Sequence, residues 1–171
     1  MNAIKTAPTA PPRPRLLVLG ATGGTGRLIV AEALARGFEV RALVRSPAKA
    51  SGLEGAELFI GDARDQAALR KALEGADAVV SALGTAVSPF REVSLLSSAT
   101  KALVNAMKAA GVSRLVCITG MGAGDSAGHG GFVFDRLIFP ALLRKVYADK
   151  DRQEAIVRAA AWTGCWCVLR S

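Results

Sequence analysis

The stretch Gly20–Arg45, GATGGTGRLIVAEALARGFEVRALVR, decides the fold of this 171-residue chain. Its glycines Gly20, Gly23 and Gly26 stand three residues apart between an apolar run, Leu16–Leu19, and a helix-like pattern over Thr25–Arg36. Glycine is needed where a chain turns sharply, where backbone must approach a pyrophosphate, and where a helix packs closely on a strand. A helix that starts directly after such a loop presents free N–H groups and a partial positive charge to an anion. The spacing differs from G-x-G-x-x-G, but strand, loop and helix follow in the order that a dinucleotide site requires. A tight turn without a ligand is the competing reading.

Working outward, Leu16–Leu19 is strand one, short and apolar on both faces. The helix carries Leu28, Ala31, Leu34 and Ala35 on one face and stops at Gly37. Glu39–Val44 reads as strand two and Glu57–Asp62 as strand three. Asp65 caps a helix through Glu74. Asp77–Gly84 is strand four, Glu92–Ala110 a long helix, and Arg114–Gly120 strand five. Phe132–Ala161 is helical with a break or kink at Pro140, and Cys165–Arg170 is strand six. Continuous apolar strands alternating with helices imply right-handed βαβ units. The expected fold is α/β, a doubly wound parallel (Rossmann) sheet of about six strands. Residues 1–14 are expected as a disordered lead-in and residues 15–171 as one NAD(P)-binding domain.

The last residue of the opening stretch sets a preference. NAD sites place a carboxylate at the end of strand two, on the ribose 2′-OH. Here that place holds Val44-Arg45-Ser46, and a guanidinium suits a 2′-phosphate. Lys49, one turn later, offers a second cation. NADP(H) is expected in preference to NAD(H). A surface arginine at a strand end is the plainer alternative. Asp62, ending strand three, lies near the adenine in this architecture, or is a loop cap. Ala82, Leu83, Gly84 and Thr85 end strand four, where small residues let a cofactor lie close to the backbone.

Composition excludes more than it selects. Hydrophobic residues make up 51%, yet no apolar run approaches the ~18 residues of a membrane span. The first residues lack the apolar segment of a signal peptide, so a cytoplasmic protein is expected. The net charge of +8 comes from scattered Lys and Arg without aromatic interleaving, which argues against nucleic acid and fits a solvated basic surface. Cys117, Cys165 and Cys167 make neither a disulfide framework nor a zinc site, and buried thiols are the better reading. No metal is expected.

GATGGTG, ALVRSPAK, Gly61-Asp62, SALGT and MKAAGVSRLVCITGMGAG together resemble the atypical short-chain dehydrogenase/reductase superfamily. The nearest branch is its NAD(P)H-binding, NmrA-like group, which includes biliverdin reductase B (flavin reductase). The resemblance runs from about Arg15 to Arg170. It implies that Gly20, Thr22, Gly23, Gly24, Thr25, Arg45, Lys49, Asp62, Ala63, Leu83 and Gly84 line the cofactor, beside Gly26 and Ala82 of the same two loops.

Departures from that family bear on chemistry. Conventional members carry Tyr-x-x-x-Lys after strand five. Lys150 fits the lysine, with Glu154 following, but Val146 stands four before it and Tyr147 only three. One helical position turns a side chain by about 100°, so Tyr147 is expected to aim away from the reacting carbonyl, and Lys150 to bind the nicotinamide ribose. Strand five ends in Thr119-Gly120 instead of paired serines. Thr119 can bond a carbonyl or the nicotinamide, or serve as an ordinary strand residue. After strand six the chain reads Arg170-Ser171, so the C-terminal substrate lobe is expected to be largely absent: the chain is a shortened product, or a second copy covers the site, or the site is open. The loop Gly120–Gly131, with Asp125, Ser126 and His129, lies beside the nicotinamide in this reading.

Thr119 and Lys150 are therefore the candidate catalytic residues. The leading function is an NADPH-dependent oxidoreductase passing hydride to a flavin, quinone or similar small acceptor. The alternative is a non-enzymatic NADP(H)-binding redox sensor of NmrA-like type.

Overall fold

The structure is a computed structural model and describes residues 13–85, 94–119 and 144–160, with the backbone alone of 166–170. Most of the lead-in, the loop with Asp125, Ser126 and His129, Pro140, Cys165 and the side chain of Cys167 lie outside the described residues.

Six strands form one sheet: β1 (Arg15–Leu19), β2 (Glu39–Val44), β3 (Glu57–Ile60), β4 (Ala78–Ser81), β5 (Leu115–Thr119) and β6 (Trp166–Arg170). Their order is β3-β2-β1-β4-β5-β6 and every adjacent pair is parallel, from Leu16 opposite Val40 to Thr119 opposite Arg170. The order reverses direction between β1 and β4, so the carboxyl ends of these two strands open the crevice in which doubly wound folds bind ligands.

The crossovers are α1 (Gly24–Ala35), a 3₁₀ turn (Pro47–Lys49), α2 (Gln66–Leu73), α3 (Leu95–Ala110) and α4 (Arg144–Ala159). α1 covers one face, where Val30 and Ala33 pack with Val18, Val40 and Ala42. α2, α3 and α4 cover the other, where Leu69, Leu103 and Val157 pack with Leu17, Val79 and Leu115. Leu17, Val18 and Leu19 are fully buried, so β1 is apolar on both faces because helices cover both. Asp65 caps α2 as expected, taking the Ala67 N–H at 2.8 Å.

One expectation is corrected. α1 buries Gly26, Val30 and Ala33, not Leu28, Ala31, Leu34 and Ala35. Leu28 is 72% exposed. The helix carries two apolar stripes, and Gly26 selects between them. A Cβ at Gly26 would lie 2.1 Å from the carbonyl oxygen of Gly20, so only glycine lets the helix sit this close to the loop. With Gly26 facing inward, the residues four and seven further on face inward too.

Candidate functional site

Two adjoining pockets lie at the carboxyl ends of the strands. The first is lined by Gly20, Thr22 and Gly23 of the glycine loop, Arg45 after β2, Asp62 and Ala63 after β3, and Ala82, Leu83 and Gly84 after β4. The second is lined by Thr25, Thr119, Lys150 and again Ala82, Leu83 and Gly84. The shared β4 end joins them into one groove, with Arg45 towards one extremity and Lys150 at the other.

The loop's geometry explains its composition. Gly20 has φ +75°, and a Cβ on it would meet the carbonyl oxygen of Ala82 at 2.4 Å. This position therefore needs glycine twice over, for its left-handed backbone and for its contact with the β4 end. Gly23 is the N-cap of α1, and among the described residues no side chain bonds to that helix end. A Cβ on Gly24 would meet nothing within 4 Å. The end of α1 thus presents backbone N–H groups, the helix dipole and open space, the combination that receives a phosphate. Arg27 braces the loop: its guanidinium donates to the carbonyl of Thr22 at 3.2 Å and to that of Lys49 at 3.0 Å.

Not every expected residue reaches the groove. Gly24 and Gly26 do not line it, and Gly26 acts through packing. Lys49 ends the 3₁₀ turn, exposed, outside both linings. Arg45 is exposed on the first pocket's wall. Asp62 lines that pocket but is already engaged. Its carboxylate accepts the Arg64 N–H at 2.9 Å and two guanidinium bonds at 2.8 Å. These bonds, with the charges of Arg64 and Arg45, hold it down at about 2.

At the other end, Thr119 is buried, and its hydroxyl donates to Glu154 Oε1 at 2.9 Å. Glu154 is itself 2% exposed and pairs with Arg158 at 3.3 Å. Lys150 is half-buried, and burial lowers the pKa of its ammonium. Its Nζ lies 5.3 Å from the ring centroid of Tyr147. Tyr147, expected to aim away, lines the same pocket as Lys150, beside Val146, Ile118 and Thr85. Beneath this end Cys117 is buried and takes a bond from Gln153 Nε2 at 3.1 Å. Burial pushes its thiol up to about 11, so Cys117 is inert filling at neutral pH.

Sequence reading did not place Leu43, Val44, Gly61 and Leu95 in the first pocket, although it named Val44 and Gly61 beside the residues it chose, and it did not pair Arg64 with Asp62 or Glu154 with Thr119. It also missed Asp149, a fully buried carboxylate that accepts the Leu96 N–H at 2.8 Å, the Ser97 N–H at 3.3 Å and the Ser97 hydroxyl. Leu43 and Gly61 were findable, since they sit beside residues already singled out. Asp149 carries no local signal.

Comparison with known proteins agrees with this geometry. The chain is 41% identical over 104 residues to the photosystem II assembly factor Ycf39 of Guillardia theta, covering 59% of this chain and 33% of that protein. It is 36% identical over 115 residues to sterol demethylase protein B of Methylococcus capsulatus, covering 63% and 34%. These matches span about a third of the relatives' length. Among solved structures, the anaerobillin reductase ChuY of Escherichia coli O157:H7 superposes with a TM-score of 0.74 at 25% identity, over 91% of this chain and 71% of that one. A short-chain dehydrogenase/reductase of Veillonella parvula in complex with NADP shares the fold, with a TM-score of 0.69 at 15% identity, over 92% and 68%. A family model described as NAD(P)H-binding matches residues 20–171. The glycine loop, the parallel sheet and these matches concur, and the chain belongs to the NAD(P)H-binding family.

Proposed function

We propose that this chain binds NADPH in the groove and passes its hydride to a flavin, quinone or similar small acceptor. The observation that carries this reading is the groove itself: two pockets sharing Ala82, Leu83 and Gly84, with an uncapped helix end at the middle and cations at both extremities. The bound cofactor would supply the hydride. The chain's residues supply position, charge and a proton.

At one end, Arg45 stands where an NAD site needs a carboxylate. The carboxylate nearest to hand, Asp62, is neutralised by Arg64, so it offers little repulsion to a 2′-phosphate. In the middle, Thr22, Gly23 and the α1 end would hold the pyrophosphate. At the other end, Lys150 is the cation lining the pocket. Burial makes its proton easier to give up than that of a solvated lysine. Acceptors such as flavins and quinones take hydride without a dedicated tyrosine acid, because Lys150 or water can deliver the proton. The relation to a reductase structure supports an oxidoreductase of this type.

The test is NADPH oxidation by the purified chain with a panel of flavins and quinones, beside NADPH and NADH titrations. Turnover supports the reading. Tight NADPH binding with no turnover across the panel would move the chain to the redox-sensor alternative.

A further inference from the structure

The buried pair Thr119–Glu154 sets the direction of a hydrogen bond inside the nicotinamide-side pocket. A threonine hydroxyl has one proton and two lone pairs. In this structure the proton goes to Glu154 Oε1 at 2.9 Å. Glu154 is ion-paired with Arg158, and a carboxylate can only accept. Thr119 and Glu154 are 4% and 2% exposed, so solvent does not compete for the bond. Lys150 and Glu154 stand four apart on α4 and are potential neighbours. Glu154 nevertheless turns to β5 and Arg158, while Lys150 turns to the pocket and Tyr147.

We propose that Glu154 is a positioning residue that turns the Thr119 hydroxyl into an obligate acceptor, and that the donor it selects is the carboxamide NH2 of the nicotinamide. With its proton committed to Glu154, Thr119 does not donate to a carbonyl, neither that of the carboxamide nor that of the hydride acceptor. Work on a developing negative charge is then left to Lys150. The carboxamide has one N–H2 and one C=O, so an acceptor on this wall would favour the rotamer that turns the NH2 towards Thr119.

The inference rests on reading the groove as a nicotinamide site. The test separates the two. Binding of NADPH is compared by calorimetry with binding of reduced 3-acetylpyridine adenine dinucleotide phosphate, a methyl ketone that keeps the carbonyl but has no N–H to donate. The unmodified chain should bind the analogue about three- to tenfold more weakly, the worth of one neutral hydrogen bond. Thr119→Val should bring the ratio close to one, and Thr119→Ser should retain it. Glu154→Leu frees the hydroxyl to turn and donate, so the ratio should collapse, while Glu154→Gln keeps an acceptor oxygen and most of the discrimination. A purely structural role for Glu154 would weaken both ligands equally and leave the ratio alone. Equal affinities in the unmodified chain, or a ratio unmoved by Thr119→Val, would overturn the polarity assignment while the cofactor reading stands. Failure of NADPH itself to bind would remove both.

Discussion

α1 and α3 both begin at the carboxyl end of a strand, and those strands, β1 and β4, are parallel neighbours. Each helix therefore points a positive end at the same crevice. The chain treats the two ends in opposite ways. α3 is closed by its own protein: Asp149, carried on α4, accepts the N–H groups of Leu96 and Ser97, the second and third residues of the helix. α1 is left open, begun by Gly23 with no side-chain bond. Two anion-attracting ends lie side by side, and an internal carboxylate closes one of them. In the proposed reading, the other is the end that receives a phosphate. The lesson is that an empty cap is as much a specification as a filled one, because the neighbouring helix shows what this protein does when no ligand is intended.

The largest effect should come from opening the closed end. Asp149→Ala removes a fully buried carboxylate and leaves two backbone N–H groups and the Ser97 hydroxyl without it. Each buried donor left unpaired costs about 1–3 kcal/mol, so a loss of about 3 kcal/mol in unfolding free energy is expected. Chemical denaturation monitored by circular dichroism checks this. A loss below about 1 kcal/mol would mean that water replaces the cap without penalty.

Closing the open end is the converse. Gly23 has an extended backbone, φ −78° and ψ 165°, which any residue adopts. A Cβ there would lie 3.4 Å from the loop's own Gly20 carbonyl oxygen. Gly23→Asp should therefore fold and even gain a few tenths of a kcal/mol as an N-cap. NADPH affinity should fall about a hundredfold, about 2.7 kcal/mol, because a carboxylate now occupies the phosphate's place. Calorimetric titration reads the affinity, and an unchanged affinity would refute phosphate binding at α1.

Arg45 sharpens the comparison, since in the proposed reading it meets the 2′-phosphate and not the helix end. Arg45→Glu should weaken NADPH at least about tenfold while changing NADH little, as expected when a charge-assisted bond of about 1.5–3 kcal/mol is lost. A parallel loss for both nucleotides would assign Arg45 to the common part of the cofactor.

The open end was legible in the sequence and the closed one was not. Three glycines at fixed spacing between a strand and a helix carry much of their reason locally, because Gly20 turns with positive φ and Gly23 and Gly26 both answer to the Gly20 carbonyl oxygen, although Gly20 also answers to Ala82 at the distant β4 end. The Asp149 cap joins residues 53 apart, and the Thr119–Glu154 bond joins residues 35 apart. Both depend on how α4 is rotated against α3 and β5, which no local pattern encodes. The same limit explains the stripe chosen wrongly on α1. Periodicity showed that two faces were apolar, while the choice between them came from one close contact at Gly26. Lys49 shows a related limit: one turn beyond Arg45 in sequence is a 3₁₀ turn here, and Lys49 lies outside the groove lining.

The smallest effect tests whether burial, not the number of bonds, separates the two ends. Asp62 also sits after a strand and also collects several donors, yet it and Arg64 are 32% and 55% exposed where Asp149 is sealed. Water screens such a pair, so Arg64→Ala should cost far less than Asp149→Ala. Its pH dependence has a defined sign. Asp62 is lowered from 3.8 to about 2 in the folded chain, so the stability it contributes is fully present above its unfolded value. That stability is lost as pH falls through about 2. Removing Arg64, its main partner, moves the folded value back towards the ordinary one. The gap in urea midpoint between the unmodified chain and Arg64→Ala should therefore be small and constant at neutral and mildly acidic pH, then close as Asp62 is protonated in both states. A gap as large as that of Asp149→Ala would show that an exposed cluster of donors is worth as much as a buried one. A gap that persisted at the acid end would show that Arg64 acts through packing and not through the Asp62 carboxylate.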